Sequence, residues 1–199
     1  IHAQRIFDGE NWHEGQALLI VDREIYGIAG ADVLKALRRD FEMIHLPPDS
    51  VVAPGFIDVQ VNGGGGVLLN DAPTLDGIRT ILAAHRRFGT TGMLPTLITD
   101  KREVMEALLA VAEDALKLPG VLGFHLEGPF IAPSRKGCHR EDCIRRPGAS
   151  DIALLSNFGQ LGRSYVTLAP ERVDASDITK LTASGLRVAA GHTDALSAD

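Results

Sequence analysis

Two polar residues stand at the ends of apolar runs. Residues 121–126 lead into Glu127, and residues 186–190 lead through Gly191 to His192. Each run reads as a β-strand that delivers one polar side chain at its C-terminal end. Gly128-Pro129 stops the first of these strands at once, which leaves the Glu127 carboxylate at the rim. A carboxylate and an imidazole at equivalent strand ends face a common mouth, where N and O donors suit Zn²⁺ or a similar divalent ion. Successive side chains alternate along a strand, so His125 shares the inward face with Glu127 but lies one layer deeper. It reads as a packed, hydrogen-bonded histidine below the site.

A third strand end is polar in a different way. Asp58, Gln60 and Asn62 alternate with Val59 and Val61, and Gly63-Gly64-Gly65-Gly66 follows. Three polar groups on one strand face are costly unless they serve a site or a hydrogen-bond network. Gln60 and Asn62 read as site-lining, and Asp58 as part of a satisfied buried network. The glycine run matches neither a P-loop nor a dinucleotide fingerprint. The segment Lys136-Gly137-Cys138-His139, with Cys143 close by, leaves two further readings open. One is a structural zinc site made by Cys138, His139 and Cys143, with poor spacing and no evident fourth ligand. The other is a nucleophilic Cys138–His139 pair, disfavoured because adjacent residues rarely aim at each other.

These residues need a parallel sheet to hold them, and the chain supplies its pattern. Residues 51–61, 92–99, 121–127, 165–169 and 186–190 read as strands. Helices are expected between them over 74–88, 101–118, 150–158 and 176–184. Thr74 is placed to cap the first of these, with Gly89 just past its end. Asp100 and Glu103 suggest a capping box for the second, whose apolar stripe is Val104, Leu108, Val111 and Ala115. Gly185 takes the position after the last helix. Alternating βα units build an α/β fold with a parallel sheet, either open and doubly wound or part of a (β/α)₈ barrel. In both, function sits at the C-terminal strand ends. Residues 1–52 differ: short candidate strands at 4–7, 17–21, 24–28 and 43–46, an Asp8-Gly9 turn and a short helix over 31–39 form a small β-rich domain. Residues 53–199 then form the hydrolase-like domain.

Length and charge bound the rest. The chain has 199 residues, of which 45% are apolar, enough for a substantial core. A net charge of −6 and a pI near 5.6 argue against a nucleic-acid partner. No apolar run reaches the length of a membrane span, and no signal peptide is evident. Two cysteines are too few for a disulfide scaffold and fit a reducing cytoplasm. The first residue is Ile1, so the numbering is expected to start inside a longer chain.

The motifs together resemble a known family. Ala53-Pro54-Gly55-Phe56-Ile57-Asp58 followed by Gln60-Val61-Asn62-Gly63 looks like the first barrel strand of the amidohydrolase superfamily. His125-Leu126-Glu127-Gly128-Pro129-Phe130, Lys136-Gly137-Cys138-His139, Leu168-Ala169-Pro170-Glu171 and Gly191-His192-Thr193 narrow the resemblance to its N-acetylglucosamine-6-phosphate deacetylases. The resemblance implies a (β/α)₈ barrel, with about five βα units in this chain, and a small β domain built from both chain ends. It implies metal-dependent hydrolysis of the acetamide of N-acetylglucosamine 6-phosphate by a cytoplasmic homodimer. Other amide hydrolases of the superfamily and a non-catalytic sugar-phosphate-binding barrel are the alternatives. By the same resemblance Glu127 and His192 are ligands of the metal, and Cys138 and His139 lie in a substrate-contacting loop. Many superfamily members carry His-x-His where this chain has Gln60 and Asn62. Amides are poor ligands beside imidazole, so a single divalent ion is expected, zinc first, with iron, cobalt or manganese as alternatives. The family's third ligand, a histidine after the sixth strand, and its proton-transfer aspartate, after the eighth, are not found up to Asp199. The 199 residues alone are therefore expected to be inactive.

Overall fold

The computed structural model describes residues 1–36 and 40–196. They divide into two units, Ile1–Gly55 and Phe56–Asp199. In the first, β1 (Arg5–Phe7) pairs antiparallel with β2 (Trp12–Glu14). The Asp8 carboxylate makes the turn between them, accepting from the N–H groups of Glu10 and Asn11 at 2.9 and 2.7 Å. Sequence reading missed β2, a short strand with little apolar alternation. Strands β3 (Ala17–Val21) and β4 (Glu24–Ala29) form an antiparallel hairpin, and α1 covers Ala31–Ala36. The last part of the helix expected over 31–39 lies outside the described residues. No strand forms over 43–46. His45 makes only an isolated bridge to His2, and Pro47-Pro48 has no N–H groups with which to extend it. Strand β5 (Val51–Val52) returns to pair with β1.

The expected strand over 51–61 is thus interrupted at Ala53-Pro54-Gly55, and β6 (Phe56–Val61) opens the second unit. A glycine hairpin follows, β7 (Gly63–Gly64) on β8 (Val67–Leu68). The chain then alternates: α2 (Leu75–Arg86), β9 (Thr90–Ile98), α3 (Arg102–Ala115), β10 (His125–Glu127), α4 (Ala149–Asn157), β11 (Tyr165–Leu168), α5 (Ala175–Ala183) and β12 (Arg187–Ala190). The five long-range strands are parallel and ordered β12-β11-β10-β9-β6, each beside its predecessor, with no reversal.

Local chemistry explains most boundaries. The Thr74 side chain accepts from Gly77 N–H at 3.1 Å at the start of α2, and Gly89 has φ +94° beyond its end. Asp100 does not cap α3. Its carboxylate accepts from Asn70 and from the Lys101 N–H, and Lys101 becomes the residue before the helix. The buried face of α3 is Met105, Leu108, Ala112 and Ala115, with Val104 and Val111 at its margin. Strand β10 is shorter than expected, because Val121 makes only an isolated bridge to Met93 and regular pairing resumes at His125. Helices and strands close over one core that includes Ile78, Met93, Leu108, Phe124, Leu126, Phe158 and Leu181. No helix among the described residues is long and apolar enough to cross a membrane.

Candidate metal centre

Register sets the site. Glu127 ends β10 opposite Ile98 of β9 and Thr167 of β11. His192 follows β12 by two residues, and Gly191 N–H is bonded to Leu168 O at 3.0 Å. His139 comes from the long loop after β10, and its buried ring folds back over the strand end. One ligand atom from each of Glu127, His139 and His192 lies within 4.8 Å of the other two. Nε2 of His192 is 3.0 Å from Glu127 Oε1, and Nε2 of His139 is 3.8 Å from the same oxygen. Donor atoms on a tetrahedral zinc, at ~2.0–2.1 Å from the ion, sit roughly 3.3 Å apart. The observed spacings bracket that value.

The protonation pattern fits a cation as well. Nδ1 of His192 is 2.7 Å from the Arg135 carbonyl, which can only accept, so Nδ1 carries the proton. Nε2 of a neutral ring then presents a lone pair to a carboxylate oxygen 3.0 Å away. Two acceptors face each other, and only a proton or a metal ion between them reconciles the pair. One carboxylate and two imidazoles are a donor set that suits such an ion.

The other Glu127 oxygen is occupied differently. Oε2 accepts from Nε2 of Gln60 at 3.0 Å. The carboxyl is held at about 2, by His139 first and His192 next, against the opposing effect of burial. Of the two rings only His192 has hydrogen-bond geometry; His139 is within ion-pair reach. His139 is itself oriented by Thr99, whose hydroxyl lies 2.7 Å from its Nδ1 and 3.3 Å from the Glu127 carbonyl. His125 is buried below, with Nε2 2.8 Å from the Thr167 hydroxyl and its ring stacked on Tyr165 at 4.0 Å. Burial pushes its pKa down to about 4, which keeps the ring neutral.

The remaining sequence candidates fall as follows. Gln60 joins the cluster. Asn62 lies beyond β6 and gives its carbonyl to Leu69 N–H at 2.9 Å; among the described residues no hydrogen bond ties its side chain to the cluster. Asp58 is half-buried rather than enclosed, and its carboxylate accepts from the Gln60 N–H at 3.0 Å. Cys138 is exposed and Cys143 buried, and among the described residues they do not join His139 in a ligand group. Two residues escaped sequence reading: Thr99, and Glu171, whose motif carried no assigned role. Their partners, His139 and the residues after His192, are far away in sequence, so no local spacing signals the contact.

No protein-family model matches the chain. It is 45% identical over 144 residues, 71% of its length, to the N-acetylgalactosamine-6-phosphate deacetylase of Shewanella sp. (strain ANA-3). It is 41% identical over 151 residues, 72% of its length, to the N-acetylglucosamine-6-phosphate deacetylase of Rattus norvegicus. The chain spans 36% and 37% of those two relatives. The crystal structure of N-acetylglucosamine-6-phosphate deacetylase from Pasteurella multocida superposes with a TM-score of 0.82 at 27% identity, over 98% of this chain and 50% of that one. Sequence and fold agree that this chain is a relative of the N-acetylglucosamine-6-phosphate deacetylases.

Proposed function

We propose that the chain carries the metal-binding part of an amide hydrolase that removes the acetyl group of N-acetylglucosamine 6-phosphate, giving glucosamine 6-phosphate and acetate. The convergence of Glu127 and His192 at the ends of parallel strands, with His139 folded over them from the loop after β10, carries this reading. A divalent ion held there, zinc in our reading, supplies the Lewis acidity that hydrolysis of an amide needs. Glu127 and His192 hold the ion, and Gln60 steadies the carboxylate. His139 meets the acetamide or sugar from above, and Cys138 lies in the same loop. Gln60 donates to Oε2, the oxygen that a second cation would otherwise use, and this supports one ion per subunit. The sequential strand order supports a partial (β/α)₈ barrel from Phe56 onward, with residues 1–52 read as part of a small β-rich domain. A cytoplasmic homodimer completes the reading.

The test is metal content and acetate release by the full-length gene product. One equivalent of divalent metal and acetate from N-acetylglucosamine 6-phosphate are expected, with both largely lost in Glu127→Gln. A metal-replete, active Glu127→Gln protein overturns the assignment. The relative from Shewanella favours a second reading, in which the 4-epimer, N-acetylgalactosamine 6-phosphate, is preferred. The ratio of kcat/KM for the two sugars decides between them.

A further inference from the structure

His192 does not sit in ordinary strand backbone. Its φ is +51°, a left-handed conformation that a residue with a Cβ adopts only when its surroundings impose it. The imposing contacts come from two directions. From the loop after β10, Ala132 N–H donates to His192 O at 2.9 Å, and the Arg135 carbonyl accepts from Nδ1–H, with Nδ1 and O 2.7 Å apart. From the turn after β11 comes a single carboxylate, that of Glu171. Its Oε2 accepts from the Thr193 hydroxyl at 2.5 Å, and its Oε1 accepts from the Asp194 N–H at 2.8 Å. Thr193 Oγ1 also accepts from the Ala195 N–H at 2.8 Å, which closes the turn. Asp194 in turn bonds Ser134 and Arg135, so the two holding elements are joined to each other.

We infer that Glu171 is a positioning residue for the metal centre: its carboxylate grips the two residues after His192 and fixes the left-handed turn that aims Nε2 at Glu127. This rests on the metal-hydrolase reading above, in which Glu171 has no part. Among the described residues its carboxylate hydrogen-bonds Thr193 and Asp194, not the ligand atoms themselves. Thr193 and Asp194 present a hydroxyl and an N–H on one side of the turn, and a carboxylate has one oxygen for each. An amide has a single accepting oxygen, and an alanine has none.

The test measures zinc affinity by chelator competition, the absorption spectrum of the cobalt-substituted protein, and hydrogen exchange of the segment containing Asp194 in metal-free protein. All use the full-length protein. In Glu171→Ala, zinc affinity is expected to fall about 10–100-fold, the range found when an outer partner of a metal ligand is removed. The cobalt bands should change and the Asp194 segment should exchange faster. Glu171→Gln should lie between Ala and wild type. Should Glu171→Ala fail to fold, the isosteric Thr193→Val removes one contact and should weaken zinc binding, and Thr193→Ser, which keeps the hydroxyl, should restore it. Unchanged zinc affinity and cobalt spectrum in Glu171→Ala or Thr193→Val overturn the inference, whatever the exchange shows. If wild-type protein takes up no zinc, the hydrolase reading falls on its own. Exchange then decides about Glu171, and an Asp194 segment equally protected in Glu171→Ala overturns its role.

Discussion

Nε2 of His192 lies 3.0 Å from Oε1 of Glu127 while the Nδ1 proton of the same ring is committed to the Arg135 carbonyl. The ring therefore has one tautomer available when neutral, and in that tautomer it offers a lone pair to whatever binds beside the carboxylate. Gln60 holds the carboxylate from its other side. Gln60→Leu should weaken metal binding about 10–100-fold without creating a second site. Elemental analysis of wild-type protein should give one tightly held ion per subunit. Two ions would remove Gln60 from its assigned role.

His139 tests the division of labour within the cluster. His139→Ala is expected to retain near-stoichiometric metal while raising KM or lowering kcat, as the loss of a substrate contact does. Thr99→Val, which removes the hydroxyl 2.7 Å from Nδ1, should shift the same parameters by less. Loss of the ion from His139→Ala would move this histidine into the ligand set.

The loop that carries His139 is anchored behind by Asp151. Its carboxylate accepts from the Gly148 N–H at 3.0 Å, from Arg145 at 3.0 Å and from Arg102 at 3.1 Å. Burial works to raise its pKa, but these donors overcome it and the net shift is downward. A carboxyl with a lowered folded-state pKa stabilises the fold above its unfolded value, about 3.9, and that stability is lost as pH falls through the folded value. Asp151→Asn should cost about 1.5–3 kcal/mol at pH 7. The gap between the two proteins should narrow below about pH 4. Urea titrations at pH 7 and pH 3 measure both, and a gap that does not narrow contradicts the ionised clip.

Left-handed backbone at a residue other than glycine costs on the order of 1–3 kcal/mol. His192→Gly should therefore recover part of that strain and keep or raise the thermal stability of metal-free protein, while metal affinity collapses. A marked fall in metal-free stability would show that the imidazole contributes more through the Arg135 carbonyl than the backbone loses.

The strand ends that carry Glu127 and His192 were legible because an apolar strand that terminates in one polar residue is a local pattern. So were α2, through Thr74 and Gly89, and the packed state of His125. The failures have a common cause. Asp100 has the chemistry of a cap, but Asn70 and the neighbouring Lys101 N–H occupy its oxygens. Periodicity gave α3 an apolar stripe but not its centre, and the packed face turned one position, to Met105 and Ala112. Thr99 and Glu171 act on partners 40 and 22 residues away, and no window along the chain contains both members of such a pair. The sequence resemblance gathered motifs that lie far apart along the chain, and a hydrogen bond joins Glu171 of the Leu168–Glu171 motif to Thr193 of the Gly191–Thr193 motif.

The doubly anchored turn at His192 has a consequence for how the centre fills. A histidine on a mobile loop surrenders rotamer freedom at the moment it takes a ligand, a loss of about 0.5–1.5 kcal/mol for an immobilised side chain. Here the carbonyl of Arg135 already holds the ring through Nδ1, and the peptide N–H of Ala132 and the carboxylate of Glu171 hold the backbone that carries it. The entropy of ordering is thus assigned to folding rather than to capture of the ion. Uptake should need little rearrangement of this ligand, and its heat signature should be nearly free of an ordering term from the His192 turn.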